Sequence, residues 1–186
     1  MRKIVAVIGD AVIEKGGDKY KLAFETGKML VDNGFRVQSG GLGGVMEAAF
    51  MGARSSKNYK EGDTIALLPS FDIHQVNAYA DVIIPTGLDL MRNALVANAS
   101  AVVAVGGGAG TLCEMAFAWT LKRMILAYTG VDGWSAKLAG TDIDHRQRYP
   151  FEDKVWAVSN AEECIKIIKE KIDKYDLYHK GITINS

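Results

Sequence analysis

Short apolar runs rich in β-branched residues alternate along this chain with longer segments of helical period. The runs are KIVAVIG (3–9), RVQSG (36–40), TIALLP (64–69), DVIIPTG (81–87), AVVAVGG (101–107), MILAYTG (124–130) and KVWAVS (154–159). Most are continuously apolar, the pattern of strands buried on both faces in a parallel sheet covered by helices. Between them, apolar positions recur at helical spacing: Leu22, Thr26, Met29 and Leu30; Met46, Ala49, Phe50 and Ala53; Leu90, Ala94, Leu95 and Ala97; Met115, Ala118, Trp119 and Lys122; and Ala161, Cys164, Ile165, Ile168 and Ile172. Such alternation predicts right-handed βαβ crossovers and an α/β, doubly wound, mainly parallel Rossmann-like sheet in three layers. Six or seven strands are expected, in an order of the 3-2-1-4-5-6 kind.

No linker, low-complexity stretch or fixed-period repeat interrupts the pattern, so one Rossmann-like domain is expected over 1–186. Residues 69–80 read as a loop or short helix, and 140–150 as an exposed loop. The tail from 176 reads as disordered or as pairing with another chain. The basic start and apolar run at the N-terminus are broken by Gly9 and Asp10, too early for a signal peptide or a membrane span. A cytoplasmic protein is expected.

Composition narrows the function classes. The 186 residues carry 22 Lys+Arg and 22 Asp+Glu, a balance that gives no footprint for nucleic acid or an anionic membrane. The two cysteines form no CxxC pair, which argues against a disulfide scaffold or zinc ribbon. His74, His145 and His179 stand at no metal-ligand spacing, so neither a metal nor a cofactor is assigned. HRQR (145–148) offers cations to a phosphate, but reads first as an exposed polar loop.

Two segments carry chemistry. QSGGLGGVMEAA runs from a strand into a helix near Gly44, and AVGGGAGTLCEMAFA does the same near Gly110. Glycine allows a tight turn and close approach of a ligand to the backbone. The helix N-terminus that follows offers free N–H groups to a phosphate. The first strand is followed by GDAVIEKGG, not G-x-G-x-x-G, and GGGAGT has no Walker lysine. Glu114 has two readings. Thr111-x-x-Glu114 has the form of a capping box, as does SNAE (159–162), with TGLD (86–89) a near relative. Alternatively Glu114 works beside the loop, together with Arg92, which sits at a helix start against the dipole.

These segments resemble the Lonely-guy family of nucleoside-monophosphate phosphoribohydrolases, and more closely its branch of molybdenum-cofactor-carrier-like proteins, over most of residues 1–170. The family's P-G-G-x-G-T-x-x-E is matched by Gly107, Gly108, Gly110, Thr111 and Glu114. Its G-G-G-x-x-G-x-M is matched by Gly40, Gly41, Gly44 and Met46, and its preceding arginine by Arg92. Gly106 replaces the proline, Asn93 the lysine after the arginine, Ser39 the first glycine of the earlier motif and Glu47 its last glycine. These departures bear on hydrolysis more than on nucleotide binding. The family also goes under a lysine-decarboxylase name, but no pyridoxal-type lysine motif is present.

The resemblance implies a phosphorylated small-molecule ligand held by Gly40, Gly41, Gly44, Gly107, Gly108, Gly110 and Thr111, with Arg92 and Glu114 as candidate catalytic residues. Two readings of activity follow: hydrolysis of the N-glycosidic bond of a nucleoside 5′-monophosphate, or non-catalytic carriage or sensing of a nucleotide-like ligand such as molybdenum cofactor. A homodimer or higher homo-oligomer is expected, both from the resemblance and from Met91, Met115, Trp119 and Met124 around helices 88–99 and 111–122, although Met115 and Trp119 read equally as core.

Overall fold

The computed structural model describes residues 1–178. Seven parallel strands form one sheet: β1 (Ile4–Gly9), β2 (Arg36–Ser39), β3 (Thr64–Leu68), β4 (Val82–Pro85), β5 (Ala101–Val105), β6 (Met124–Tyr128) and β7 (Val155–Val158). Their order is β4-β3-β2-β1-β5-β6-β7, the expected reversal between β1 and β5 with one further strand at one edge. The helices are α1 (Asp18–Asp32), α2 (Val45–Ser55), α3 (Arg92–Ala97), α4 (Ala109–Thr120), α5 (Trp134–Leu138) and α6 (Ala161–Tyr178).

The continuous apolar runs are explained by two cores, one on each face. Val5 and Val7 of β1, with Val103 and Val105 of β5, join the side packed by α1, α2 and α6. Ala6 and Ile8, with Val102 and Ala104, join the side packed by α3 and α4. Alternate residues of a strand face opposite ways, so a strand covered on both sides must be apolar at every position.

Helices α1 and α2 touch backbone to backbone. A β-carbon on Gly27 would lie 1.9 Å from the Ala49 carbonyl oxygen, and one on Gly52 would lie 1.8 Å from that of Phe24.

Four expectations need correction. The segment 88–99 is not one helix: a 3-10 turn at Asp89–Met91 precedes the six-residue α3. The short α5 lies in a stretch read without a helix. β4 is not buried, because it is the sheet edge and α3 packs on α4 and β3 instead; all four of its residues are exposed. In the 145–148 loop, the Arg148 side chain is buried, lying 3.6 Å over the Trp119 ring centre and paired with both Asp153 oxygens at 2.7 and 2.9 Å. It therefore holds the loop onto α4. The tail beyond 178, with His179, lies outside the described residues.

Candidate functional site

Both glycine loops leave the carboxyl edge of the sheet, after β2 and β5. In the first, Ser39 donates to the Val7 carbonyl at 2.6 Å, a tie to β1 that a glycine could not make. Gly41 and Gly44 have φ of +75° and +66°, the left-handed region that glycine enters at little cost. A β-carbon on Gly44 would sit 2.2 Å from the Asp10 carbonyl oxygen, which accepts from the Val45 N–H at 2.9 Å. The loop is thus fastened to the segment after β1. Gly40 serves another purpose. A β-carbon there would lie 2.6 Å from Nη1 of Arg92, so the guanidinium rests against bare backbone.

In the second loop, Gly106 and Gly107 have φ of +65° and +94°. Their carbonyls accept from the Ser135 and Trp134 N–H groups, both at 2.9 Å. The Gly106 N–H donates to Ser135 Oγ at 2.8 Å, and the Gly107 N–H donates to Asp10 Oδ2 at 2.9 Å. This half of the loop is satisfied internally. The second half is not. Gly108 is the N-cap of α4 and supplies no side-chain cap. The N–H groups of Gly108, Ala109, Gly110 and Thr111 precede the first intrahelical bond, from Leu112 to Gly108. Orphan donors of this kind, at the positive end of a helix dipole, suit an anion.

The capping-box reading of Thr111 and Glu114 fails on this geometry. Thr111 is the third residue of α4, not its N-cap, and Glu114 is the sixth. Glu114 is 7% exposed and meets Arg92, itself 8% exposed, with Nη1–Oε1 at 3.5 Å. A capping box does form before α6, shifted by one residue. Asn160 Oδ1 accepts from the Glu163 N–H, and Glu163 reaches back to the Ser159 N–H. TGLD forms no helix cap; Thr86 Oγ1 accepts from the Leu88 N–H and Asp89 turns into the left-handed region.

The Arg92–Glu114 pair is under-satisfied. Nε of Arg92 is buried without a partner. Burial pushes the Glu114 carboxyl up to about 7, against the opposing pull of Arg92. Burial also lowers the Arg92 guanidinium, opposed by Glu114 and Asp89. A carboxyl near neutrality in contact with a buried cation can take up or release a proton at working pH.

Three residues not singled out in the sequence join the site. Asp10 Oδ2, besides accepting from Gly107, accepts from Lys19 Nζ at 2.7 Å, and Lys19 also meets Asp132 Oδ1 at 2.9 Å. Burial lowers the Lys19 pKa, but its bonds to Asp10 and Asp132 raise it, and the net shift is upward. These groups line a cleft of about 390 Å³ with Glu14, Asp18 and Val131. The signal for Asp10 was its place directly after β1, at the strand reversal where open α/β sheets bind ligands. Among the described residues, no group of three or more His, Cys, Asp or Glu could hold a metal ion. No helix there is long and apolar enough to cross a membrane.

An all-parallel doubly wound sheet, two glycine loops on its carboxyl edge and a buried Arg–Glu pair beside them define a Rossmann-like protein with a candidate ligand site at its strand ends. The chain belongs to the SLOG cluster4 family, whose model matches residues 2–165. It is 37% identical over 116 residues to an uncharacterized protein of Archaeoglobus fulgidus, covering 61% of this chain and 72% of that one. Among solved structures it is similar to TM1055, with TM-score 0.76 and 28% identity over 90% of this chain and 99% of that one. It is also similar to the molybdenum cofactor binding protein of Rippkaea orientalis, with TM-score 0.75 and 30% identity over 92% and 98%. The molybdenum cofactor carrier protein of Chlamydomonas reinhardtii matches with TM-score 0.72 and 26% identity over 91% and 98%.

Proposed function

We propose that this protein binds a nucleotide-like phosphorylated small molecule, with the phosphate on the 108–111 N–H groups and Arg92, and that it carries or senses that ligand. The observation that carries the reading is the buried Arg92 with its unpartnered Nε, on the side of a helix whose first-turn N–H groups are all free. The similarity to two molybdenum-cofactor-binding proteins supports a pterin-type cofactor as the ligand class. The glycines at 40, 41 and 44 let the first loop close against Arg92 and the β1 loop, and those at 108 and 110 leave the start of α4 open to approach, whereas Gly107 is covered by Thr111 and its N–H is held by Asp10.

A second reading is favoured by Glu114, which is no cap and has its carboxyl near 7. It is hydrolysis of a nucleoside 5′-monophosphate. Water adds across the C1′–N bond, so that the hydroxyl joins C1′ and the proton leaves with the base, giving ribose 5-phosphate. By analogy with glycosidases the sugar passes through an oxocarbenium-like state that a carboxylate can stabilise while it orients the water.

One experiment separates them. Wild type is incubated with a panel of nucleoside monophosphates and, separately, melted with each of them and with a pterin phosphate. Released base supports hydrolysis; a raised melting temperature without turnover supports the carrier. Arg92→Ala is expected to weaken the bound ligand about ten- to a hundredfold, since losing a charged hydrogen bond costs about 1.5–3 kcal/mol. Unchanged affinity by titration calorimetry would sink the placement of the phosphate.

We also infer that the chain self-associates, on different grounds from those first expected. Met115, Trp119 and Met124 are core residues, 0–2% exposed. The uncovered apolar side chains are instead Leu88, Leu90, Met91 and Leu95 around α3, with Val82–Ile84 on the edge strand. A surface of that extent exceeds what scattered exposure on a monomer explains. Leu90→Asp should shift the protein towards monomer in sedimentation at about micromolar concentration; a wild type already monomeric there would refute the inference.

A further inference from the structure

One member of the second glycine loop does not offer its donor. The Gly107 N–H, first in line before α4, is held by Asp10 Oδ2, and the same oxygen is held by Lys19. The arrangement is built in. A β-carbon on Gly106 would lie 2.5 Å from Asp10 Oδ2 and 2.7 Å from Lys19 Cε, and the residue's φ of +65° strains any side chain, so glycine is what leaves room for this contact. The proline that the resembled hydrolases carry at this position, with φ locked at about −65°, could not adopt this backbone. An anion supplied by the chain itself therefore sits next to the four free N–H groups of Gly108–Thr111.

Its charge is only shared in compensation. Lys19 is divided between Asp10 and Asp132. The adjoining cleft is lined by four carboxylates, Asp10, Glu14, Asp18 and Asp132, and one ammonium, Lys19. A phosphate arriving at the start of α4 must work against that field, whereas an uncharged group would not.

We propose that Asp10 and Lys19 form an autoinhibitory counter-ion gate on the second glycine loop, in which Asp10 occupies the Gly107 N–H as an internal anion and Lys19 sets how strongly it repels an incoming phosphate. The proposal rests on the phosphate reading above. It separates the roles of two residues. The Asp10 charge opposes the ligand, while the Lys19 charge favours it by screening Asp10. Asparagine at position 10 keeps an oxygen to accept from Gly107, so Asp10→Asn removes the charge and leaves the hydrogen bond available.

The test is calorimetric titration of the full chain with inorganic phosphate and with adenosine 5′-monophosphate, at about 50 mM and about 500 mM salt. At low salt Asp10→Asn should bind both about three- to tenfold tighter than wild type, the effect of one charge several ångströms from the site. Lys19→Met should bind both about three- to tenfold weaker, and the double variant should return near wild type. All differences should shrink at high salt, as a merely structural role for Asp10 would not require. Asp10→Asn binding equally or more weakly at low salt overturns the gate, as does a gain that persists at high salt. If Asp10→Asn does not fold, unchanged affinity in Lys19→Met is the overturning result. Binding by wild type that weakens in Arg92→Ala, with no effect at Asp10 or Lys19, sinks the gate alone. No binding by any variant sinks the phosphate reading and the gate with it.

Discussion

Glu114→Gln is expected to flatten the pH dependence of stability and, if the protein hydrolyses nucleotides, to lose most of its release of free base. The sign follows from burial. The Glu114 carboxyl is near 7 in the folded chain and near 4.5 in an ordinary setting, so the folded state holds the proton more tightly. That contribution to stability is fully present below about pH 4.5 and is lost as pH rises through about 7. The upper size is about 3.5 kcal/mol, from roughly 1.4 kcal/mol for each unit. Denaturant unfolding of wild type and variant at pH 4.5, 6 and 8 should therefore show wild type losing ground relative to the variant as pH rises. Parallel curves would mean that Glu114 is not held near neutrality. Phosphate binding should survive, because the amide keeps the shape of the acid while leaving the Arg92 charge in place. Turnover, where present, should fall by about 10²–10⁴, the usual worth of a positioned acid–base group.

The largest structural effect is expected away from the site, at Gly52. With a β-carbon 1.8 Å from the Phe24 carbonyl oxygen, Gly52→Ala cannot be absorbed by a rotamer change, since both atoms concerned belong to helix backbones. Helices α1 and α2 must move apart, opening the core around Ala23, Ala48 and Ala49. The expected loss is about 3 kcal/mol or more, at the upper end for overpacking. Gly27→Ala should behave alike. Gly130→Ala is the control, because a β-carbon there meets nothing within 4 Å. Urea midpoints for Gly52→Ala and Gly130→Ala that coincide would contradict the close approach.

The sheet and its layers follow from local pattern alone. An apolar side chain at every position of AVVAV, with α-period segments on either side, has one inexpensive solution, a strand covered on both faces. The seven apolar runs match the seven strands to within one or two residues of their ends. The glycine loops were legible for the same reason, since a strand that stops in glycines before a helix exposes N–H groups whatever surrounds it. The roles of individual polar side chains depend instead on tertiary packing. Thr111-x-x-Glu114 and Asn160-x-x-Glu163 are locally equivalent, but only the second caps a helix, because the chain at Gly107–Gly108 starts α4 early and turns Glu114 inward onto Arg92. Asp10 was legible only by its place directly after β1, because its partners stand 9 and 97 positions away. Met115 and Trp119 read as core or subunit contact, and only the fold decides for core, while VIIP reads as a buried strand and is exposed. Burial at those positions is set by which neighbour a helix chooses, and α3 lies over β3 and α4, leaving the edge strand bare.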